Sequence, residues 1–160
     1  MLLWYAGLSV VIVLLVFQSA GIDYRLVAVG SLLPLAVDLP VRHLWIGHTL
    51  LGSVVLLVLV MLLTIGRPRL LRRRLLCLPI GAFCGLALSA AWTNTDVFWW
   101  PFTGSTLPDA ALLPAPGVVA LEELAGIAAI AWVVHRCALT DPARREELLR
   151  SGRLRETARP

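Results

Sequence analysis

LWIGHTLLGSVVLLVLVMLLTIG, residues 44–66, holds a single titratable side chain, His48, and runs straight into RPRLLRRR, residues 67–74, which holds five arginines. An apolar run of this length matches the ~20 residues an α-helix needs to cross a hydrocarbon core ~30 Å thick. Its apolar positions are continuous rather than alternating. That excludes the dyad pattern of a membrane barrel and leaves the helix, which satisfies its own backbone hydrogen bonds. The arginines that close the run assign its end to the cytoplasmic side by the positive-inside rule.

The rest of the chain repeats the pattern. Met1 to Ile22 and Leu75 to Thr95 carry no charge, and Val118 to Val134 opens after Pro116-Gly117 with Glu122 and Glu123 in its first two turns. Between Arg25 and Asp38 a shorter uncharged piece, interrupted by Pro34, needs its flanks from Ile22 to Pro40 to reach across, as a kinked span or a re-entrant one. Of the 160 residues, 59% are hydrophobic and 15% charged, against about 25% charged in soluble domains; the mean hydropathy is +0.84. The expected fold is therefore all-α: a polytopic transmembrane helical bundle of about five spans over residues 1–137, followed by a cytoplasmic arginine-rich tail, residues 138–160. The first apolar run has no basic residues before it and no A-x-A site after it, so it is expected to remain as an uncleaved span.

All 14 basic residues are arginine, concentrated at residues 67–74 and from Arg136 onward. Placing both clusters inside sets five spans with the amino terminus outside and the carboxyl terminus cytoplasmic. Trp4, Tyr5, Trp45, Trp92, Trp99 and Trp100 then fall near the outer interface. The rival topology makes residues 26–40 re-entrant and puts the amino terminus inside. This clustering describes orientation in a bilayer rather than nucleic-acid binding; the arginine-only, alanine- and leucine-rich usage points to a GC-rich bacterial genome, and the expected location is the bacterial inner membrane. Cys77, Cys84 and Cys137 lack CxxC spacing and lie in or beside apolar runs, as buried thiols do. Thr140-Asp141-Pro142 reads as a helix start, with a short helix to about Arg150 whose basic side chains either meet anionic headgroups or form a solvated, topology-fixing tail.

Titratable groups in lipid are costly, about 2.5–3.5 kcal/mol each on insertion scales, so their positions carry information. The arginine-derived topology gathers Asp38, His43, His48, Asp96, Glu122 and Glu123 at the outer surface. Carboxylates beside imidazoles are a ligand set for divalent metals. Each residue also has a structural reading: Asp38 as the cap of the next helix, His48 as a hydrogen-bonding partner between helices, the two glutamates as acids at a helix amino terminus, His43 and Asp96 as interfacial loop residues, and His135 as a helix-end cation.

Gly30-Ser31-Leu32-Leu33-Pro34 through Asp38, Gly47-His48-Thr49, and Gly81 to Trp92 followed by Trp100-Pro101 resemble the bacterial membrane-bound metal-dependent hydrolases of the YdjM-like group, over roughly residues 27–126. The resemblance implies a metal site in which Asp38, His48 and Glu123 are ligands, holding one divalent ion, zinc, magnesium or manganese. Three further ligand positions of that pattern fall on Leu35, Gly85 and Ser89, which supply no ligand or only a weak hydroxyl.

Two functions follow as expectations. One is a hydrolase whose metal-bound water attacks a phosphoester or similar bond of a lipid-like substrate at the outer leaflet. The other is a non-catalytic relative that persists in the bilayer as a partner or scaffold for envelope proteins or as a homo-oligomer, its polar pocket kept as an interhelical network. Five spans without an inverted repeat argue against a transporter.

Overall fold

The computed structural model describes residues 1–19, 21–104, 106–107 and 110–154, and these are all-α. The helices are α1 (Leu2–Phe17), α2 (Tyr24–Asp38), α3 (Leu50–Leu63), α4 (Arg69–Leu75), α5 (Cys77–Leu88), α6 (Thr95–Phe98), α7 (Pro116–Arg136) and α8 (Pro142–Ser151). Short 3-10 turns at Ile46–His48 and Ala91–Thr93 precede α3 and α6. Among the described residues the sole extended pairing is an isolated bridge between His43 and Ala111.

Local chemistry sets the ends. Asp23 caps α2 by accepting from the Arg25 amide, Thr49 caps α3 by accepting from the Gly52 amide, and Asp141, followed by Pro142, caps α8 through the Ala143 amide. Gln18 adopts a left-handed conformation (φ 43°) and closes α1, and Ala90 does the same (φ 54°) after α5. These stops make the helices shorter than the apolar runs that contain them. The runs at residues 1–22, 44–66 and 75–95, expected as span-length helices, yield helices of 16, 14 and 12 residues. Among the described residues one helix, α7 with 21 residues, is long and apolar enough to cross a membrane. Pro34 does not break α2, which is one continuous helix rather than a re-entrant hairpin.

α2 packs most closely on α5, and α1 on α7 and α2, while α3 touches the rest through α5 and the Ile46–His48 turn. Two apolar clusters mark the two ends. One contains Val13, Leu14, Tyr24, Val27, Cys77, Val133, Cys137 and Leu154; the other contains Met1, Tyr5, Leu35 and Leu112. Because α2 contributes Val27 to the first and Leu35 to the second, it runs from one end of the bundle to the other. The first cluster lies at the end that carries Asp23, Arg25 and α4.

Small residues make these contacts. A methyl group at Gly85 would overlap the Ser31 carbonyl, one at Gly81 the Val27 carbonyl, and one at Gly30 the Leu78 carbonyl, so α2 and α5 meet backbone to backbone. Gly7 and Gly126 perform the same service between α1 and α7. The large apolar side chains point outward instead: Leu15 is 50% exposed, Leu63 73% and Leu121 68%. Of the most apolar 18 residues of α7, only 11% are buried.

The described part of the carboxyl-terminal segment, as far as Leu154, packs against the bundle. Leu154 is buried in the first cluster with Leu148 packed beside it, the Tyr24 amide donates to the Gly152 carbonyl at 2.8 Å, and Arg25 Nη1 donates to the Leu149 carbonyl. Asp23 anchors this end. Its buried carboxylate accepts from Arg25 Nε and Nη2 and from Arg74 Nε and Nη2 at 3.1–3.3 Å. Burial pushes the Asp23 carboxyl up, but the hydrogen bonds and charges of Arg25 and Arg74 outweigh it and hold the group below its ordinary value. A carboxylate lowered in the folded state contributes stability that is present above its unfolded pKa of about 3.9 and disappears as pH falls through the lower folded value. Acid titration of thermal stability is therefore expected to show a loss below about pH 4 that is smaller in Asp23→Asn; identical acid profiles for the two proteins would refute this coupling.

Candidate functional site

Asp38 is the last residue of α2 and is fully buried, and the connection to α3 folds back over it. The Trp45 amide donates to Oδ2 at 2.7 Å, the Gly47 amide to Oδ1 at 2.8 Å, and His48 Nδ1–H to Oδ2 at 2.7 Å. Both carboxylate oxygens are thus taken by one short segment. The Asp38 backbone carbonyl adds to this by accepting from the Val41 and Arg42 amides, each at 3.1 Å. Gly47 fits because a side chain there would strike the Pro34 carbonyl and the Asp38 carboxylate itself.

The expected roles sort differently from this geometry. Asp38 is not the cap of the next helix; Thr49 holds that place, because the 3-10 turn moves the start of α3 to Leu50. His48 is buried and bonded to a neighbouring helix, as its structural reading has it, and the partner is Asp38. Ser53, one turn into α3, has a buried hydroxyl oxygen with no hydrogen-bonding partner among the described residues. It lines an apolar cleft together with Pro34, Gly47 and Gly52.

Glu123 takes other partners. On α7 its carboxylate receives the Met1 ammonium and, at 3.1 Å, the Leu3 amide, which ties the start of α1 to α7. Glu122 beside it keeps one buried carboxylate oxygen without a partner among the described residues. Asp38, His48 and Glu123 do lie at the same end of the bundle, since Leu35, Met1 and Val119 share one cluster there. Among the described residues no three His, Cys, Asp or Glu side chains gather as a metal-ligand group: Asp38 and His48 bond each other, and Glu123 bonds the Met1 and Leu3 nitrogens. A zinc, magnesium or manganese ion would find two of its three expected ligands together, one of them with both oxygens already hydrogen-bonded.

The positions where the hydrolase pattern lacks ligands are occupied by packing. Leu35 is part of the apolar cluster at this end. Gly85 lies against the Ser31 backbone. The Ser89 hydroxyl donates to the Leu86 carbonyl at 2.8 Å and accepts from the Ala91 amide, closing the end of α5. His43 is half-buried at its bridge to Ala111, and Asp96 and His135 are exposed.

The Asp23, Arg25 and Arg74 cluster at the opposite end was not legible as a site in the sequence, because Arg74 lies 51 residues from Asp23. The available signal was Asp23 itself, a single acid at the start of an apolar run on the arginine-rich side. Searches against family models, curated proteins and solved structures return no match for this chain.

Proposed function

We propose that the chain is a multi-pass protein of the bacterial inner membrane, carboxyl terminus in the cytoplasm, and a non-catalytic relative of the YdjM-like hydrolases that serves as a scaffold or partner for envelope proteins. The observation that carries the non-catalytic reading is the saturated Asp38 carboxylate. A carboxylate whose two oxygens close a chain reversal, through two backbone amides and an imidazole, is employed in holding α2 and α3 together.

Three features support the membrane reading. The surface is apolar where a soluble domain would be polar, with large side chains outward and glycines inward; helices in lipid associate through small residues in this way. α7 has span length and composition. The arginines of α4 and α8 share one end of the bundle with Asp23, as a cytoplasmic face requires. The shorter helices cross by using their 3-10 turns and flanking residues, or by local bilayer thinning around them.

The non-catalytic and hydrolytic readings predict different results. Protein purified in detergent is expected to contain no stoichiometric zinc, magnesium or manganese by mass spectrometry. Asp38→Asn and His48→Gln, which keep part of the hydrogen bonding at this turn, are expected to complement a deletion strain in proportion to the stability each retains. One equivalent of metal, lost in His48→Gln together with function, would instead establish the hydrolase. For the bilayer, resistance to carbonate extraction is the expected result, and release into the soluble fraction would end the membrane reading.

A further inference from the structure

At the end of the bundle opposite Asp38, the loop before α2, the helix α4 and the end of α8 enclose a polar cavity of about 300 Å³. Its walls bring together Arg73 and Arg74 from α4 and Arg150 and Arg153 from α8 and its C-cap region, against one acid, Asp23. That acid is already saturated: Arg25 and Arg74 both bind it. Arg150 is paired with Glu146 at 2.6 Å. Arg73 and Arg153 are exposed and form no salt bridge to an acid among the described residues, so the described walls of the cavity carry more positive than negative charge.

The placement is specific rather than diffuse. α4 and α8 are about 75 residues apart in sequence and are brought together because Leu154 is buried in the core and Gly152 bonds to Tyr24. Without that anchorage the arginines of residues 150–153 would be free of those of residues 73–74. Leu70, 72% exposed, and the half-buried Ile22 complete the wall, so an apolar lip adjoins the cationic floor. Guanidinium groups bind phosphate oxygens in paired, directional hydrogen bonds. The volume sits at the lower end of small-ligand pockets, room for a headgroup rather than a whole lipid.

We propose that this cavity is a phosphate-binding site, and that its ligand is the phosphodiester headgroup of an anionic phospholipid of the cytoplasmic leaflet, with the acyl chains leaving past Leu70 and Ile22. The assignment rests on the membrane reading above. The shared chemistry, an oxyanion of phosphorus, is also that of a free phosphate, and the lipid is favoured by the apolar lip. Arg73 and Arg153 are the groups with charge to spare, and Asp23 holds Arg74 in place beside them.

The test uses the full chain purified in a neutral detergent. Native mass spectrometry is run with short-chain phosphatidylglycerol, with phosphatidylcholine of the same chain length, and with inorganic pyrophosphate in place of lipid. Phosphatidylglycerol is expected to be retained and phosphatidylcholine not. Arg73→Gln combined with Arg153→Gln is expected to weaken retention roughly thirtyfold, from the attraction an arginine near an anionic surface contributes. Arg67→Gln combined with Arg69→Gln, which removes the same charge from residues outside the cavity, leaves retention unchanged. Pyrophosphate binding as tightly as the lipid would overturn the lipid assignment in favour of a free anion. Equal losses in the two double variants would show a diffuse basic surface and overturn the pocket. Retention of neither anion by a protein that resists carbonate extraction would overturn the site while leaving the membrane reading in place; extraction by carbonate would overturn the reading beneath it.

Discussion

Replacing Gly85 with leucine is expected to abolish the close seating of α5 on α2 and to lower the thermal midpoint by roughly 6–12 °C, the shift that about 3 kcal/mol produces in a chain of this size. At this position there is no room even for a methyl: the Cβ would fall on the Ser31 carbonyl, and that atom is backbone within a helix. A flexible side chain could rotate away, whereas a helix has to be displaced as a body. Overpacking a core against side chains already costs ~1–3 kcal/mol, so displacement of a helix belongs at the upper limit or beyond. The consequence spreads, because Gly81 and Gly30 lie along the same contact and lose their approach together. Cys77 and Cys84 sit on α5, buried and half-buried, and report the separation directly through their reactivity to a thiol-specific dye during heating. Val58→Leu on the exposed face of α3 is the companion variant and is expected to stay within ~0.5 kcal/mol of the parent. A Gly85→Leu protein that melts with the parent and protects its thiols equally would show that α2 and α5 are not packed as described.

Much of this architecture follows from signals the sequence carries openly. Continuous apolar runs require helices, and Asp141 with Pro142 marks a helix start that forms in fact, whereas the caps Asp23 and Thr49 emerge only in the structure. The arginine-derived topology brings Asp38 and His48 to one end of the chain's spans, and there the two side chains bond each other. The lengths of the helices were not legible in the sequence. Hydropathy averages over a run and is insensitive to a left-handed residue such as Ala90 or to a histidine in a 3-10 turn, and these end helices inside apolar sequence. The docking of α8 was hidden for a different reason. In a segment dominated by arginine and glutamate, burial is carried by Leu148 and Leu154 alone, too few to make a periodic signal. Glu123 was hidden most completely, since its partner is the amino group of Met1, a donor that no side-chain pattern displays.

Asp38→Ala is expected to destabilise the protein by about 3 kcal/mol, because it leaves three donors without the carboxylate they share, one of them on the buried ring of His48. The amides of Trp45 and Gly47 and the ring N–H of His48 all end on this carboxylate, and each buried donor left unmade costs ~1–3 kcal/mol. Asp38→Asn keeps one carbonyl oxygen in nearly the same volume, while its amide group faces donors where an acceptor is needed. It is expected to lie between the parent and alanine in denaturant or thermal unfolding. His48→Gln restores a donor toward Asp38 and is expected to cost less than His48→Ala, which leaves the Oδ2 side of the carboxylate with the Trp45 amide alone. This graded order is what a structural clamp produces: stability tracks the number of hydrogen bonds retained, and function follows stability. A catalytic centre produces the opposite order, with Asp38→Asn folded normally but inactive, because preserving a hydrogen bond does not preserve a carboxylate's capacity to hold a metal or take a proton. Measuring unfolding and complementation on the same four variants therefore separates the two roles at the residue where they diverge most. An Asp38→Asn chain with parental stability and no function would transfer the centre from the scaffold to the enzyme.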